Sequence, residues 1–147
     1  MMRFLRLALL VGFFMLASVA PVRSAVLTAT KVGCTDFLTV LNLKPAHVQF
    51  MKCTLEKELQ GKPLRAVYQV AGAHAAVAEA RLVRGANLTR LKRSCCQWDS
   101  PPSQFTGKDG HVYTIAMVSS ETNIKYRRLW PNIPSFEITV ELLTEDI

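Results

Sequence analysis

The chain has 147 residues, with 18 lysines and arginines against 11 aspartates and glutamates, and a formal net charge of +7. Arg3, Arg6 and Arg23 lie in the first 24 residues, which hold no acid, so residues 25–147 keep 15 basic and 11 acidic residues, a net charge of +4. This mild excess is not typical of a nucleic-acid-binding protein. It fits an acidic protein, an anionic lipid surface or a cell-wall polymer as partner.

The first 24 residues have the three-part pattern of a secretory signal peptide. Arg3 and Arg6 give the positive start, residues 7–20 form an uncharged apolar run, and residues 22–24 form a small-x-small cleavage site. The run is shorter than the roughly 20 residues that span a bilayer, and no later stretch is long and apolar enough. We therefore expect cleavage after Ser24, a single domain over residues 25–147, and a periplasmic or secreted protein.

The apolar pattern switches along the chain between the period of helices and the period of strands. It predicts helices over 34–43 and 73–84, strands over 48–59, 64–70, 88–98, 112–119 and 136–143, a turn at 60–63, a polar loop over 99–110 and a long connection over 121–135. Consecutive strands with short connections favour antiparallel pairing. We therefore expect an α+β fold, with a curved antiparallel sheet of about five strands packed on two helices.

The same pattern predicts which side chains face the core. The predicted buried faces are Phe37, Leu38 and Leu41, with Val40 as a further candidate, in the first helix, Met51, Cys53, Leu55 and Leu59 in the first strand, Ala73, Val77 and Ala80 in the second helix, and Phe136, Ile138, Val140 and Leu142 in the last strand. Glu79 and Arg81 fall toward the solvent side of the second helix. Because its inward residues are small, this helix can lie close against the sheet.

Four cysteines in an exported chain predict two disulfides, for which three pairings exist. A bridge between Cys95 and Cys96 would join neighbours through a distorted peptide and a strained, more reducible bond. On a strand, these two side chains point to opposite faces. We therefore favour a split arrangement, in which one of them pairs with Cys34 and the other with Cys53. A redox pair or a metal site is the alternative, although no Cys-x-x-Cys motif is present.

Several strings in the chain resemble those of a known group of proteins. They are Gln60-Gly61-Lys62-Pro63-Leu64, the segment 72–79, Cys95-Cys96-x-Trp98, Trp130, Ile133-Pro134 and the last strand. In this order they resemble a family of small exported bacterial proteins of unknown function. The resemblance implies a cystatin-like or nuclear-transport-factor-like α+β fold and a location in the bacterial envelope. It implies no activity.

The candidate binding residues are basic or aromatic. The basic residues form a candidate patch for an anionic partner: Arg81, Arg84, Arg90, Lys92, Arg93, Arg127 and Arg128. Trp98 and Trp130 are candidate interface anchors, or core side chains beside a disulfide. The three histidines lack the spacing of metal ligands, so we expect neither a metal nor a cofactor. The loop with Asp99, Asp109 and His111 is the best of the weak candidates for acid–base chemistry.

These observations favour a non-catalytic binding protein of the bacterial envelope, for example an immunity or inhibitor protein against a periplasmic toxin or enzyme. The loops 99–110 and 120–135 would be its natural contact surfaces. Two alternatives remain open. One is a small enzyme or ligand carrier with a cone-shaped pocket, and the other is a protein that binds the wall or a lipid surface. Neither nucleic acid nor a stable membrane span is expected, and the sequence leaves the oligomeric state open.

Overall fold

The computed structural model of the chain describes residues 33–145. The elements are α1 (Phe37–Val40), β1 (Gln49–Leu55), β2 (Leu64–Ala71), α2 (Gly72–Ala86), β3 (Lys92–Ser94), β4 (Gln97–Asp99), β5 (Ser103–Thr106), β6 (Val112–Ser119), a 3₁₀ helix (Arg127–Asn132) and β7 (Ser135–Leu142). The predicted signal peptide and its cleavage site lie outside the described residues. None of the described helices is long and apolar enough to cross a membrane.

All the strands within residues 33–145 belong to one open antiparallel sheet. The strand order is β1-β2-β7-β6-β4-β3, and β5 pairs with β6 beside this path. The α+β class and the antiparallel pairing are therefore confirmed, but the sheet has seven strands rather than about five. The difference arises because the predicted strand 88–98 is a hairpin of two short strands, and because the predicted polar loop contains β5.

One face of the sheet is apolar and forms the core. In β7, the four predicted residues are all buried: Phe136, Ile138, Val140 and Leu142. The same alternation buries Leu64, Ala66, Tyr68 and Val70 in β2, which pairs with β7 along its whole length. Since successive side chains of a strand point to opposite faces, the other face of these central strands is largely polar.

Helix α1 is shorter than the predicted segment. Phe37, Leu38 and Leu41 are buried as predicted, whereas the further candidate Val40, at the end of the helix, is 65% exposed. The Asp36 side chain caps the helix by accepting a hydrogen bond of 3.1 Å from the Thr39 N–H. The helix ends at Val40 because Asn42 adopts a left-handed conformation with φ of 58°. The amides of residues 43 and 44 then donate back to the Leu38 carbonyl, which closes the helix end.

Helix α2 turns a different face to the sheet from the predicted one. Ala75, Ala78, Leu82 and Ala86 are buried, whereas Val77 is 66% exposed. The helix starts at Gly72, where a Cβ would collide with the carbonyl oxygens of the 3₁₀ segment at positions 130 and 133. Because α2 approaches the 3₁₀ segment closely at Gly72 and buries Leu82, it is rotated about its axis relative to the predicted orientation. The expected row of Ala73, Val77 and Ala80 was wrong.

Strand β1 lies at the edge of the sheet and contains a β-bulge. The register passes from Phe50 opposite Tyr68 to Lys52 opposite Val67, so Met51 is the extra residue. Because one residue is inserted, the side-chain alternation predicted from the sequence is broken at Met51. Met51, Leu55 and Leu59 were expected to be buried, but they are 54%, 42% and 45% exposed.

Candidate functional site

A groove runs along the polar face of the sheet, opposite the face that carries the core. Its volume is about 540 Å³, and four strands contribute to it. The lining residues are Met51 and Lys52 of β1, Val67, Tyr68 and Gln69 of β2, Val118 and Ser119 of β6 with the following Ser120, and Ser135 and Glu137 of β7. The groove therefore opens between the edge strand and the centre of the sheet, and its floor is a rigid, fully paired ladder.

The chemistry of the groove is that of a mixed polar and apolar surface. Among its lining side chains only Lys52 and Glu137 carry a charge, and they are of opposite sign. The lining holds neither a histidine nor a cysteine. Three serines, one glutamine and the exposed thioether of Met51 give hydrogen-bonding groups beside apolar contact area. Such a lining suits a peptide or a small polar ligand.

The edge beside the groove exposes further apolar side chains. Phe50 is 37% exposed and lies with its ring centroid 5.6 Å from that of Tyr68, and Leu55 is 42% exposed. Within the described residues, β1 pairs with β2 only, so its outer backbone groups have no strand partner. Edge strands of natural proteins are commonly protected by charges, prolines and bulges. Here the bulge is present, yet Phe50, Met51 and Leu55 leave the edge partly apolar.

A buried ion pair joins α2 to the 3₁₀ helix at another part of the fold. Arg127 donates from Nη1 to Glu79 Oε2 at 2.6 Å and from Nη2 to Glu79 Oε1 at 3.1 Å. Glu79 also accepts a hydrogen bond of 2.8 Å from the Leu91 N–H, and Arg127 Nη2 donates to the Leu91 carbonyl. Glu79 was expected on the solvent side of the helix, but it is only 2% exposed. Burial is tolerated because its carboxylate is fully partnered.

The two tryptophans surround this ion pair and are both core residues. Trp130 is fully buried and Trp98 is 7% exposed, with their rings in an edge-to-face contact at 5.3 Å. The Arg127 guanidinium lies 4.6 Å from the centroid of the Trp130 ring and 5.4 Å from that of Trp98. Trp98 Nε1 donates to the Ile124 carbonyl at 2.9 Å. Neither indole is exposed as an interface anchor in this structure.

The seven basic residues of the predicted patch do not form one surface. Arg127 is held in the ion pair, and Arg93 donates to the carbonyls of Gln97 and Thr122 at 2.9 and 2.7 Å. Arg81 donates to the Asn42 carbonyl at 3.2 Å. Arg128 lies over the Tyr126 ring at 4.5 Å. The remaining exposed basic residues are Arg84, Arg90 and Lys92. The structure thus uses three of the six guanidinium groups in this set to hold backbone carbonyls or a buried carboxylate.

The cysteine pairing differs from the expected split arrangement. Cys34 and Cys53 form a disulfide with their Cα atoms 5.5 Å apart, which fixes the segment before α1 to strand β1. Cys95 and Cys96 are free and exposed. They form the two-residue turn between β3 and β4, where Ser94 pairs with Gln97. The split pairing rested on a continuous strand through residues 88–98, and the hairpin places both thiols at its tip instead.

The loop with Asp109 and His111 is tied together by its own side chains. Tyr113 donates its hydroxyl to Asp109 at 2.6 Å, and the His111 N–H donates to the same carboxylate at 3.1 Å. Burial acts to raise the pKa of Asp109, but these hydrogen bonds outweigh it and lower the pKa. The pKa of Tyr113 is raised, first by burial and then by its bond to Asp109. The arrangement stabilises the turn before β6.

The remaining histidines lie elsewhere. His47 and His74 stack with ring centroids 3.8 Å apart, which joins the segment before β1 to the first turn of α2. Among the described residues no group of three potential ligands is placed to hold a metal ion. The structure therefore brings two of the three histidines together, as a stacked pair, while His111 lies apart from them in its loop.

Residues 33–145 define a class of protein: a small α+β domain with an open antiparallel sheet, of which one face carries the core and the other face carries the groove. A family model for a domain of unknown function, DUF4952, matches residues 22–98, a little over half of the chain. The chain therefore belongs to this family of unknown function, which agrees with the resemblance in that one respect. The match includes β1, β2, α2 and both cysteine pairs. No curated protein and no solved structure shows a significant match to the chain.

Two features of the site were missed by reasoning from the sequence. The groove depends on Met51, which the bulge moves from the predicted buried face to the open face. The buried pair depends on Glu79 and Arg127, which are 48 residues apart in the chain. A signal for the second feature exists, since Glu79 is at helical spacing from Ala75 and Leu82 on the apolar face of α2.

Proposed function

We propose that the protein is an exported, non-catalytic binding protein of the bacterial envelope, and that it holds a segment of a partner protein in the groove beside β1. The observation that carries this proposal is the groove itself. It combines a rigid floor, apolar contact area at Met51 and Val67, and hydrogen-bonding serines, next to an edge strand with exposed apolar side chains. An extended segment laid along such an edge is a recurrent mode of peptide recognition.

The chemistry of the groove supports binding over catalysis. General acid–base or nucleophilic chemistry requires groups within hydrogen-bonding reach of each other and of a substrate. The two charged lining residues, Lys52 and Glu137, belong to strands that are separated by β2. Among the described residues, they form no salt bridge with each other. They suit electrostatic selection of a partner segment that carries both signs of charge.

The partner that we propose is a toxin or an enzyme of the periplasm, which makes this chain an immunity or inhibitor protein. The export pattern of residues 1–24 supports the compartment. The covalent tie between Cys34 and Cys53 supports it as well, since disulfides persist in oxidising compartments. A rigid scaffold also lowers the entropic cost of binding.

We propose further that the sheet is of the cystatin-like or nuclear-transport-factor-like type. The support is the antiparallel order of the strands and the packing of α2 on one face of the sheet, where it contacts β2 and β7. In this arrangement the opposite face is left for a ligand. The proposed type of fold adds no activity of its own, because fold does not determine function.

The test is a pull-down with residues 25–147 from a periplasmic extract under non-reducing conditions, read by mass spectrometry. Val67→Lys places a long cation in the groove, and Val77→Lys makes the same change on the exposed surface of α2. We expect one stoichiometric toxin or enzyme, whose recovery falls at least about tenfold for Val67→Lys and is unchanged for Val77→Lys. Equal recovery with both variants, or a small molecule in the groove with no protein partner, would overturn the proposal.

A further inference from the structure

The hairpin between β3 and β4 presents two free thiols side by side. Ser94 and Gln97 pair across the strands, so Cys95 and Cys96 are the whole connection. Both side chains are exposed and unpaired. Two-residue hairpin turns need a positive φ and therefore favour glycine or asparagine. Here Cys95 takes that conformation, with φ of 44°. A residue with a Cβ is thus held in a backbone conformation that glycine adopts more readily.

The surroundings of the turn hold it in place. The Thr122 N–H donates to the Cys96 carbonyl at 2.7 Å. Arg93 donates to the carbonyl of Thr122 and to that of Gln97, so the segment after β6 and the hairpin are tied to each other from both sides. Next to the turn, Trp98 is buried and its backbone N–H donates to Ser119 Oγ at 2.9 Å. The backbone is therefore anchored, and the two sulfur atoms are left as the exposed groups of the tip.

We propose that Cys95 and Cys96 are a thiol–disulfide exchange site, which closes a disulfide between neighbouring residues by reaction with an exchangeable disulfide. The co-reactant is a low-molecular-weight or protein disulfide. This reaction uses neither the groove nor the partner described above, so the proposal stands independently of the proposed function.

The reaction balances in two exchange steps. The Cys95 sulfur, as thiolate, attacks one sulfur of the external disulfide, whose S–S bond breaks and whose other sulfur leaves and takes up a proton. The Cys96 thiol then loses its proton and attacks the mixed disulfide at Cys95, which forms the Cys95–Cys96 bond and releases the second external thiol. The two cysteines are oxidised by two electrons, and the external disulfide is reduced to two thiols.

The second thiol suits the later step. Its neighbour Cys95 is the main cause of the raised pKa of Cys96. A raised pKa favours the protonated form of Cys96 before Cys95 has reacted, as the order of the two steps requires. The two-residue turn keeps the two cysteines next to each other throughout.

The closed pair should be easier to reduce than the other disulfide of the chain. A bridge between neighbours is strained, and strained or exposed disulfides are the labile ones. Cys34–Cys53, by contrast, joins residues whose Cα atoms are at an ordinary separation of 5.5 Å. One chain would thus contain a structural disulfide and an exchangeable one.

The test starts from residues 25–147 with Cys95 and Cys96 reduced, and uses oxidised glutathione as the probe. Trypsin releases both cysteines together in the peptide 94–108, separate from Cys34 and Cys53. We expect this peptide to become lighter by two hydrogen atoms without keeping glutathione. Cys95→Ser and Cys96→Ser should each stop at the mixed disulfide. In glutathione redox buffers, the pair should open at a ratio of reduced to oxidised glutathione about 100-fold lower than that needed to open Cys34–Cys53.

Two results would overturn the proposal. One is a wild-type peptide that keeps glutathione or forms intermolecular dimers without closing, which would show that the turn forbids the bridge. The other is a closed pair that resists reduction as strongly as Cys34–Cys53. Because the two serine variants change exposed residues at a hairpin tip, they should fold, and their unfolding curves provide the control.

Discussion

The two edges of the sheet are held in different ways. At the β1 edge, a disulfide between Cys34 and Cys53 fixes the strand to the segment before α1, and apolar side chains remain exposed. Within the described residues, no disulfide reaches the β3–β4 edge. There the ion pair between Glu79 and Arg127 holds the backbone of residue 91, just before β3. The disulfide fixes the first edge without covering its apolar side chains, so this edge can present a binding surface. The second edge is stabilised by buried polar contacts, and the two cysteines of its hairpin are unpaired.

The largest effect is expected at the β3–β4 edge, from Arg127→Ala. The change leaves the carboxylate of Glu79 buried without its cation and removes the contacts with both tryptophan rings. Glu79 is buried but the Arg127 side chain is 39% exposed, so loss of the ion pair falls at the low end of the range for buried pairs, about 3 kcal/mol of unfolding free energy. Loss of the contacts with the two rings adds to this. Urea unfolding followed by tryptophan fluorescence measures it. Arg128→Ala, the neighbouring exposed arginine, is the matched control and should change stability by less than about 0.5 kcal/mol. Equal effects of the two variants would show that the ion pair is not what holds this edge.

The next effect is expected at the β1 edge, from the double variant Cys34→Ser and Cys53→Ser. The disulfide closes a sequence separation of 19 residues, and the chain-entropy model assigns such a loop about 3 kcal/mol. Reductant should destabilise the wild type by the same amount and leave the double variant unchanged. The matched control is Cys95→Ser with Cys96→Ser, which should change the unfolding free energy by less than about 0.5 kcal/mol. A larger loss in that control would contradict the contrast between the two edges.

A smaller, pH-dependent effect is expected from Asp36→Ala beside the disulfide. Burial acts to raise the pKa of Asp36, but hydrogen bonds from Lys44 and Thr39 outweigh it, and the pKa lies below its ordinary value of 3.8. The charged form is therefore favoured in the folded state, so its contribution is complete above pH 3.8 and is lost as the pH falls through the lower folded pKa. We expect a loss of about 1 kcal/mol at pH 7, from the missing helix cap.

The pH series provides the check on this prediction. Unfolding free energies of the wild type and of Asp36→Ala, measured from neutral pH down to acid, should converge as Asp36 becomes protonated. A constant difference across the whole range would show that the carboxylate charge contributes nothing. Lys44→Met, which removes the ion-pair partner at 2.7 Å, should give part of the same loss with the same pH dependence.

The smallest effect is expected from Val67→Lys and Val77→Lys, the two variants that separate binding from stability. Val67 lines the open groove, and Val77 is 66% exposed on α2, so neither change removes a fully buried side chain. Both should lower the unfolding free energy by less than about 1 kcal/mol. Thermal unfolding checks this before any binding experiment. A large loss for Val67→Lys alone would mean that its effect on binding reports misfolding.

The sequence predicted the central sheet better than its edges. In β2 and β7 every second residue is apolar and buried, and the two strands pair with each other without a shift in register, so the period of the sequence is the period of the structure. In β1 the extra residue at Met51 breaks this relation, and a bulge has no signal in a pattern of alternating residues. The same limit applies at Cys95, because a hairpin turn without glycine, asparagine or proline is not recognisable as a turn.

The buried pair shows why a helix face can be assigned wrongly. Glu79 is charged, so the pattern places it toward solvent, and this choice rotates the whole predicted face of α2. In the fold, Arg127 reaches it from a segment 48 residues away, and no local pattern contains that contact. Once the pair is known, Ala75, Ala78 and Leu82 fall on one buried face with Glu79. Prediction of the core failed where a polar residue was buried by a distant partner.

The central claim, that a partner protein occupies the groove beside β1, is tested most directly by site-specific photo-crosslinking in the cell. A photo-reactive side chain is placed at Met51, which lines the groove, or at Val77, an exposed apolar position on α2. We predict one dominant crosslinked periplasmic toxin or enzyme from position 51 and none from position 77. The same products from both positions, or none from position 51, would contradict the claim.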